Sequence, residues 1–553
     1  MRNRIRTGLY GAFAAVLYAM AGILTGVVLL FSLVTVIVFR QYEQNDLFDI
    51  TRDNVPLLAL SMLAVLAVIF SVCRFTDARN QTSRGREKPK FPLAMMLVSG
   101  AFSLFMVLVI RGNATNDALQ LDKIMQEFAA GSYDSLQAGG YLFIYPFQIT
   151  YVLIGQLIAA LCGPSNYLMY QLLNVVSIIG NLYCLYCITW ELFYDRRVCL
   201  VMELLSMGCW FYYVFATFIY SDLWSFALQT AALLFTIYYL DDRRLRNLMA
   251  AAVFIAAATL LKTNCYVALI AMIMILFMDV LRPSEGKKEP CKDTPAAGTD
   301  TGSRDMGGHS VPFRLLQAIL AAAVLLLVTI GSQRAVNAAA ARAVGLERLP
   351  EGTPAITYIA MGMQETEGKY GWYNGRNVGL FREAGYDRQR TKEASVQSIR
   401  ESVDAFRNSG RYMVKFYAGK FLSQWGDPTC VSMRELEETE RHVQEETPLA
   451  QSLIFGVGSR ILQWEMNVIH SMIYLGISVY LWVTLRRMLK RGRGSSCKVT
   501  GKELLIVVFL FGGMLFHQLW EASGRYTMRY YLTMLPLAAW GIACIYTKLS
   551  KRR

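Results

Sequence analysis

Long apolar runs recur along the whole chain and constrain its fold more than any other feature. A helix of about 20 apolar residues crosses the ~30 Å hydrocarbon core of a bilayer. The hydrophobic fraction is 54% and the charged fraction only 17%, whereas soluble domains average about 45–50% and 25%. The sequence therefore predicts an all-α polytopic membrane protein.

We predict twelve spans, of which the seventh and eighth are short. They are residues 9–39, 56–73, 91–110, 167–190, 198–219, 223–240, 248–261, 266–281, 313–331, 467–485, 504–520 and 528–546. With this count, the strongly basic loops fall on one side, as the positive-inside rule requires of the cytoplasmic side. Both termini and the loops 74–90 and 282–312 are then cytoplasmic. The net charge of +14 is explained by these loops, so it indicates no nucleic-acid partner.

The chain divides into three predicted parts. Residues 1–331 form a transmembrane module with a first outer loop at 111–148 and a Gly-, Pro-, Ser- and Lys-rich cytoplasmic linker at 282–312. Residues 332–463 form a small, mainly helical extracytoplasmic domain, and residues 464–553 form the C-terminal transmembrane helices. In the domain we expect helices at 333–344, 391–408, 411–424 and 433–444. Pro350, Pro354 and a Gly-rich stretch from 362 to 379 separate them.

The first outer loop contains an amphipathic helix at 116–130. Its apolar residues recur at the spacing of one helix face: Leu121, Ile124, Met125 and Phe128. Such a helix is expected to lie flat at the membrane surface, with Asp117 in its first turn. An acid there is also favoured by the helix dipole alone, with Thr115 or Asn116 as the N-cap.

The apolar segment 147–162 is too short for a span, so we predict a juxtamembrane helix on the outer face. Few ionisable groups lie inside the predicted spans, Glu203 being the main exception. A transporter usually carries such groups near the bilayer midplane. Here the polar residues gather at the outer rim instead, which favours an enzyme that acts on a lipid headgroup.

Soluble-type metal or nucleotide motifs are absent from the sequence. The four histidines are far apart, and the Cys184-x-x-Cys187 pair falls inside a span, where buried small residues are more common than a redox or zinc site.

Four short motifs carry a resemblance to a known family. They are N-D-A-L-Q-L-D and Y-L-F-I-Y-P-F-Q in the first outer loop, I-Y-S-D after a later span, and L-K-T-N. In this order and sidedness the chain resembles the GT-C superfamily of integral-membrane glycosyltransferases, in particular the branch with bacterial relatives of protein O-mannosyltransferases and aminoarabinose transferases. M-G-M-Q-E with G-W-Y-N-G, and the terminal E-A-S-G-R-Y, fit the same group more loosely.

The resemblance implies transfer of a sugar from a polyprenyl-phosphate donor to an acceptor of the cell envelope, with inversion at the anomeric carbon. It implies Asp117 as the catalytic base and Asp222 as a second acid that orients the acceptor or an ion. Lys262 and Arg525 would bind the carrier phosphate, and Tyr145 with Pro146 would shape the loop. A divalent metal is left open, and the enzyme would lie in the plasma membrane with its site on the outer face.

Other interpretations of the same residues remain. Asp222 is equally explained as an acid at a helix start, and Lys262 as a lysine that extends from a span end towards water. At the level of the whole protein, the rivals are a transporter or flippase of lipid-linked sugars and a non-catalytic membrane scaffold.

Overall fold

The computed structural model describes residues 2–40, 46–80, 92–282, 311–440, 447–490 and 499–550. Within these residues, nine helices are long and apolar enough to cross a membrane, or up to twelve if each of three bent helix pairs counts as one span. The prediction of an all-α multi-pass membrane protein is confirmed. The loop 81–90 and nearly all of the linker 282–312 lie outside the described residues.

The first apolar run is shorter as a helix than predicted. Helix α1 covers Arg2–Ser32, and the run then continues as strand β1, Thr35–Phe39, which pairs antiparallel with β2, Phe48–Arg52. The prediction of one apolar span to residue 39 was wrong because Thr-Val-Ile-Val is rich in β-branched residues, which favour strands. The Phe39 and Phe48 rings pack against Trp372, so this hairpin rests on the domain between the two halves of the chain.

Three helices lead to the predicted first outer loop: α2, Val55–Asn80, α3, Leu93–Ile110, and α4, Asn116–Ala129. Helix α4 is the amphipathic helix that the periodicity predicted, and its four apolar residues are buried. Thr115 occupies the N-cap position, as one of the two alternatives expected, and its side chain makes no cap hydrogen bond. On its polar side, Asp122 accepts hydrogen bonds from Gln126, Ser165 and Tyr167, which fix α4 to the start of the next long helix.

The chain turns sharply after α4. Helix α5, Tyr141–Ile144, ends at Tyr145, and Pro146 begins a turn of 3₁₀-helix before α6, Ile149–Cys162. The segments on the two sides of Tyr145 are bent by 100°. At 1.5 Å per residue, α6 is about 21 Å long, less than the ~30 Å of the hydrocarbon core. Its juxtamembrane position stays a prediction.

Six further helices complete the N-terminal half. They are α7, Tyr167–Phe193, α8, Arg196–Met207, α9, Trp210–Val214, α10, Asp222–Asp242, α11, Leu245–Leu261, and α12, Tyr266–Leu281. The fifth predicted span is a bent pair, with a 53° change of direction where α8 gives way to α9 at Gly208. A Cβ at Gly208 would lie 2.6 Å from the Cδ1 atom of Ile469, so a larger residue at the bend would require the Ile469 side chain to move.

Helix α13, Val311–Ala343, is continuous for 33 residues. We expected a span to end at residue 331 and a domain to begin there, but the helix runs through this point. Gly331 and Ser332 are tolerated inside it because an apolar segment precedes them and an Ala-rich segment follows them. The predicted helix 333–344 is its C-terminal part.

The domain between α13 and the last helices contains six helices and one small hairpin. These are α14, Ile356–Gly362, β3, Glu365–Thr366, β4, Lys369–Tyr370, α15, Arg376–Glu383, α16, Arg388–Asn408, α17, Gly410–Trp425, α18, Ser432–Glu440, and α19, Pro448–Ile454. It has its own small core around Met363, Phe406 and Phe416. Helices α16 to α18 match three predicted helices, apart from residues 441–444, which lie outside the described residues.

The chain ends with α20, Val457–Lys490, α21, Gly501–Leu519, α22, Gly524–Thr533, and α23, Leu535–Ser550. Helix α20 begins before residue 464, where we placed the start of the C-terminal helices. Helices α22 and α23 are bent by 54°, next to Pro536, which cannot donate a helical hydrogen bond.

The segments that qualify as spans are not all those that we predicted. We counted α11, which has only 17 residues, and left out the bent pair around Tyr145. Length and composition instead place that bent pair among the possible spans and α11 among the shorter apolar helices.

Candidate functional site

Tyr220, in the I-Y-S-D turn before α10, is the common neighbour of the predicted site residues. The Lys262 ammonium lies 4.2 Å from the centre of its ring, and the Arg525 guanidinium lies 5.8 Å from it. The Gln148 amide donates a hydrogen bond to its hydroxyl. Burial raises the pKa of Tyr220, the charges of Asp117 and Asp222 raise it further, and Arg525 opposes them. The charges of Asp117, Asp222 and Arg525 therefore all influence Tyr220, and the fourth predicted residue, Lys262, contacts its ring.

Asp222 and Lys262 form a buried ion pair at the adjoining helix ends. Lys262, at the C-terminus of α11, donates from Nζ to Asp222 Oδ2 at 2.8 Å. The two side chains are only 14% and 1% exposed. The second carboxylate oxygen of Asp222 is buried without a hydrogen-bond partner among the described residues. The pair thus retains one acceptor that faces no donor.

Two arginines of α22 add positive charge beside this pair. Arg525 donates to Glu435 of α18 at 2.9 Å and lies over the rings of Phe218 and Tyr526. Arg529 is buried and donates to Gln229 Oε1 at 3.0 Å and to Cys265 Sγ at 2.9 Å. No carboxylate among the described residues forms an ion pair with Arg529. A buried cation without a counter-ion is costly, so the local environment favours an anion.

Asp117 is exposed, in contrast to these buried groups. Burial raises the pKa of the Tyr141 phenol of α5, and the charge of Asp117 raises it further. Burial also raises the pKa of Tyr145 and of Tyr373, and the charge of Asp117 adds a smaller increase at both. Tyr145 and Pro146 lie at the 100° bend, where the backbone of Thr353 donates to Ile144 O at 3.0 Å. The bend thus places α5 and its tyrosine beside Asp117.

Glu521, between α21 and α22, completes the group. It accepts a hydrogen bond from the Tyr526 hydroxyl at 3.2 Å and is 8% exposed. Burial raises its pKa to about 7, the charge of Asp117 raises it further, and Arg525 and Lys262 oppose the shift. Burial likewise raises the pKa of Glu435 to about 7, against the effect of Arg525. Both carboxyl groups are thus partly neutral near pH 7, which weakens the charge compensation of Arg525.

The described residues contain no group of three His, Cys, Asp or Glu side chains that could hold a metal ion.

The structure brings Asp117, Asp222, Lys262 and Arg525 to one end of the helix bundle, which we call the site end. The sequence analysis did not assign roles to Tyr141, Tyr220, Glu435, Glu521 and Arg529. Tyr220 and Glu521 lay inside motifs already singled out, I-Y-S-D and E-A-S-G-R-Y, and provided the available signal. Glu435 had none, because only the tertiary fold brings it close, whereas Arg529 did have a signal, since it is a charged residue inside the predicted span 528–546.

Fold and site together define a multi-pass α-helical membrane protein with a charged, aromatic-lined site at one end of its bundle. No family model matches the chain, and no curated protein matches it. Among solved structures it is similar to an oligosaccharyltransferase of Archaeoglobus fulgidus. The form tethered to an acceptor peptide with the NVT sequon shows 13% identity and a TM-score of 0.42, over 84% of this chain and 51% of that chain.

The apo form of the same protein gives 14% identity and a TM-score of 0.41, over 85% and 52% of the two chains. This chain thus spans about half the length of the solved structures that it matches. With similarity at this level, the function has to be argued from the residues of the site.

Proposed function

We propose that the protein is a membrane glycosyltransferase of the GT-C type. It moves a sugar from a polyprenyl-phosphate-linked donor to an extracytoplasmic acceptor of the cell envelope, and inverts the anomeric carbon. The observation that supports this most strongly is that an exposed carboxylate, Asp117, and two buried cations, Lys262 and Arg525, all act on the same residue, Tyr220. A base for the acceptor and positive charge for a phosphate are the two things that such a transfer needs.

The chemistry is a single displacement. The acceptor hydroxyl oxygen attacks the anomeric carbon, the new glycosidic bond forms, and the bond from that carbon to the phosphate oxygen breaks. The proton of the hydroxyl goes to the Asp117 carboxylate, and polyprenyl phosphate leaves with the electron pair. Lys262 and Arg525 bind the phosphate of the carrier, in a site where low dielectric strengthens the interaction.

The remaining predicted residues have supporting roles in this proposal. Asp222 holds Lys262 in place through the 2.8 Å ion pair. Tyr145 and Pro146 form the bend that places Tyr141 against Asp117. Tyr220 provides a ring against which both phosphate-binding cations pack.

The proposed orientation puts the site end on the outer face of the plasma membrane and both termini in the cytoplasm. The basic-loop distribution motivates it. Single cysteines test it in a background without other accessible thiols, one in place of Glu393 on α16 and one in place of Ser550 at the end of α23. An impermeant thiol reagent on intact cells should label the first and spare the second, and the reverse pattern would invert the orientation.

The function is tested with purified protein in liposomes that contain a labelled polyprenyl-phosphate sugar, offered a panel of envelope acceptors. The proposal expects label in a new glycosidic bond, resistant to the mild acid that cleaves the donor. A flippase would move the labelled lipid between leaflets without forming that bond, and a scaffold would do neither. Either of these results would replace the proposed function with the corresponding rival.

A further inference from the structure

Lys420, in α17 of the domain, is a fully buried lysine that the mechanism above does not use. Its ammonium donates to three backbone carbonyls: Gly362 O, Gln518 O at 3.0 Å and Trp520 O at 2.7 Å. A lysine ammonium has three N–H donors, so all three are satisfied. Two of the acceptors belong to the end of α21 and the loop that follows it, directly before Glu521.

The same loop is held by the domain at several other points. Ala522 donates its backbone N–H to Gly371 O at 2.8 Å, and the Trp520 ring stacks on Tyr358 at 5.1 Å between centroids. Gln424, one turn after Lys420, donates to His517 O at 3.3 Å. Helices α14 and α17 and the segment after β4 therefore all contact residues 517–522.

Two glycines make this arrangement possible. A Cβ at Gly362 would lie 2.6 Å from Leu519 O, and a Cβ at Gly371 would lie 2.7 Å from Lys420 Nζ. Gly371 also has a φ of +69°, which glycine adopts without strain. These are the glycines of the M-G-M-Q-E and G-W-Y-N-G motifs, so the motifs provide room for the lysine and for the loop.

We infer that Lys420 is a positioning residue, through which the domain holds the loop that carries Glu521 and leads to Arg525 in register with the site. Burying an ammonium that forms no ion pair is costly, and burial lowers the pKa of Lys420 to about 7 while the charge of Glu521 opposes the shift. A methionine would fill the same space without the cost of burying a charge, but it could not donate hydrogen bonds to the three carbonyls. The inference rests on the proposed function only where it assigns the carrier phosphate to Arg525.

The test compares Lys420→Met with Lys392→Met, an exposed lysine on α16 of the same domain. The first readout is hydrogen exchange of the backbone amides of residues 518–526 in the full-length protein, which requires no catalytic activity. Lys420→Met should speed exchange there, while Lys392→Met should leave it as in wild type. Unchanged exchange in Lys420→Met overturns the inference, whatever the protein's activity.

The second readout is the apparent affinity for undecaprenyl phosphate, measured by thermal shift in detergent, which needs no transfer. A loop displaced by about 1 Å is expected to weaken binding roughly 10- to 100-fold. In an Arg525→Gln background, Lys420→Met should then add little, because it acts through Arg525. Full additivity of the two effects would show a general loss of structure and contradict positioning.

Gly362→Ala provides a second route should Lys420→Met fold poorly, since it displaces the same loop and keeps the lysine. It is expected to change exchange and affinity in the same direction, with the same lack of additivity, and normal values would again overturn the inference. If wild type binds the lipid phosphate but Lys420→Met binds it equally well, only the inference fails. If wild type neither binds nor transfers, the proposed function fails, and hydrogen exchange still decides the role of Lys420.

Discussion

The two ends of the helix bundle differ in how completely their charged side chains are paired. At the end opposite the site, Asp279 at the end of α12 pairs with Arg243 and, at 3.7 Å, with Arg314. Lys502 there contacts Asp241 and, at 3.6 Å, Glu191. These pairs join the termini of α7, α10, α12, α13 and α21, and each carboxylate has a cation.

At the site end, the charges are incompletely matched. Asp117 forms no ion pair among the described residues, and Arg529 has only neutral partners. One carboxylate oxygen of Asp222 is unpartnered there, and Glu521 has a pKa near 7. Paired charges stabilise the packing of helix ends, whereas unpaired charges are available to interact with a ligand. The comparison therefore separates a structural end from a functional one.

The largest expected effect comes from breaking the buried Lys262–Asp222 ion pair at the site end. Lys262→Ala leaves Asp222 buried and unpaired, which should lower the free energy of unfolding by about 3–5 kcal/mol. The double variant Lys262→Met with Asp222→Asn removes both charges and should recover most of that loss. Thermal unfolding in detergent measures both. If the single variant is as stable as the double, the pair is not truly buried.

This result also sharpens the test of carrier binding. The double variant, which keeps its fold, should show a higher apparent KM for the polyprenyl-phosphate donor than wild type, with a smaller change in kcat at saturation, since a ground-state phosphate contact is lost. A change in kcat with an unaltered KM would show that Lys262 does not bind the donor phosphate in the ground state.

The next effect concerns pH. The pKa of Glu521 is raised to about 7 in the folded protein, against 4.5 as the ordinary value. Between these values the folded state keeps a proton that the unfolded state has lost, so stability falls as pH rises from about 4.5 to 7. Glu521→Gln removes this dependence. Its stability relative to wild type should rise by up to about 3 kcal/mol between pH 5 and pH 8. A difference independent of pH would show that Glu521 is ionised throughout.

The smallest effect is expected at the exposed part of the opposite end. Arg244 and Asp242 are 3.5 Å apart, and the arginine side chain is 62% exposed. Arg244→Gln should change stability by less than about 1 kcal/mol and leave transfer unchanged. A large loss of transfer in this variant would contradict the assignment of a purely structural role to the opposite end.

Periodicity and span length predicted the helical class, most spans and helix α4, because these depend on local hydrophobic patterns. The same logic failed where residues 35–39 form a strand and where α13 continues past residue 331, since neighbouring chain segments decide those outcomes. The four charged candidates were found because each stands at the end of an apolar run. Glu435 could not be found, because it reaches the site from α18 only after folding, whereas Arg529 was overlooked although it lies inside the predicted span 528–546.

The central claim is that Asp117 serves as the base at the site end, and turnover of Asp117→Asn tests it most directly. Asparagine keeps the size and suits the start of a helix, so fold and expression should be retained. The measurement is transfer of labelled sugar by reconstituted protein at saturating donor, with Asp404→Asn, an exposed acid on α16, as the matched control. The account predicts turnover lowered by a factor on the order of 10² to 10⁴ in Asp117→Asn and unchanged in the control. Turnover of Asp117→Asn close to that of wild type would contradict it.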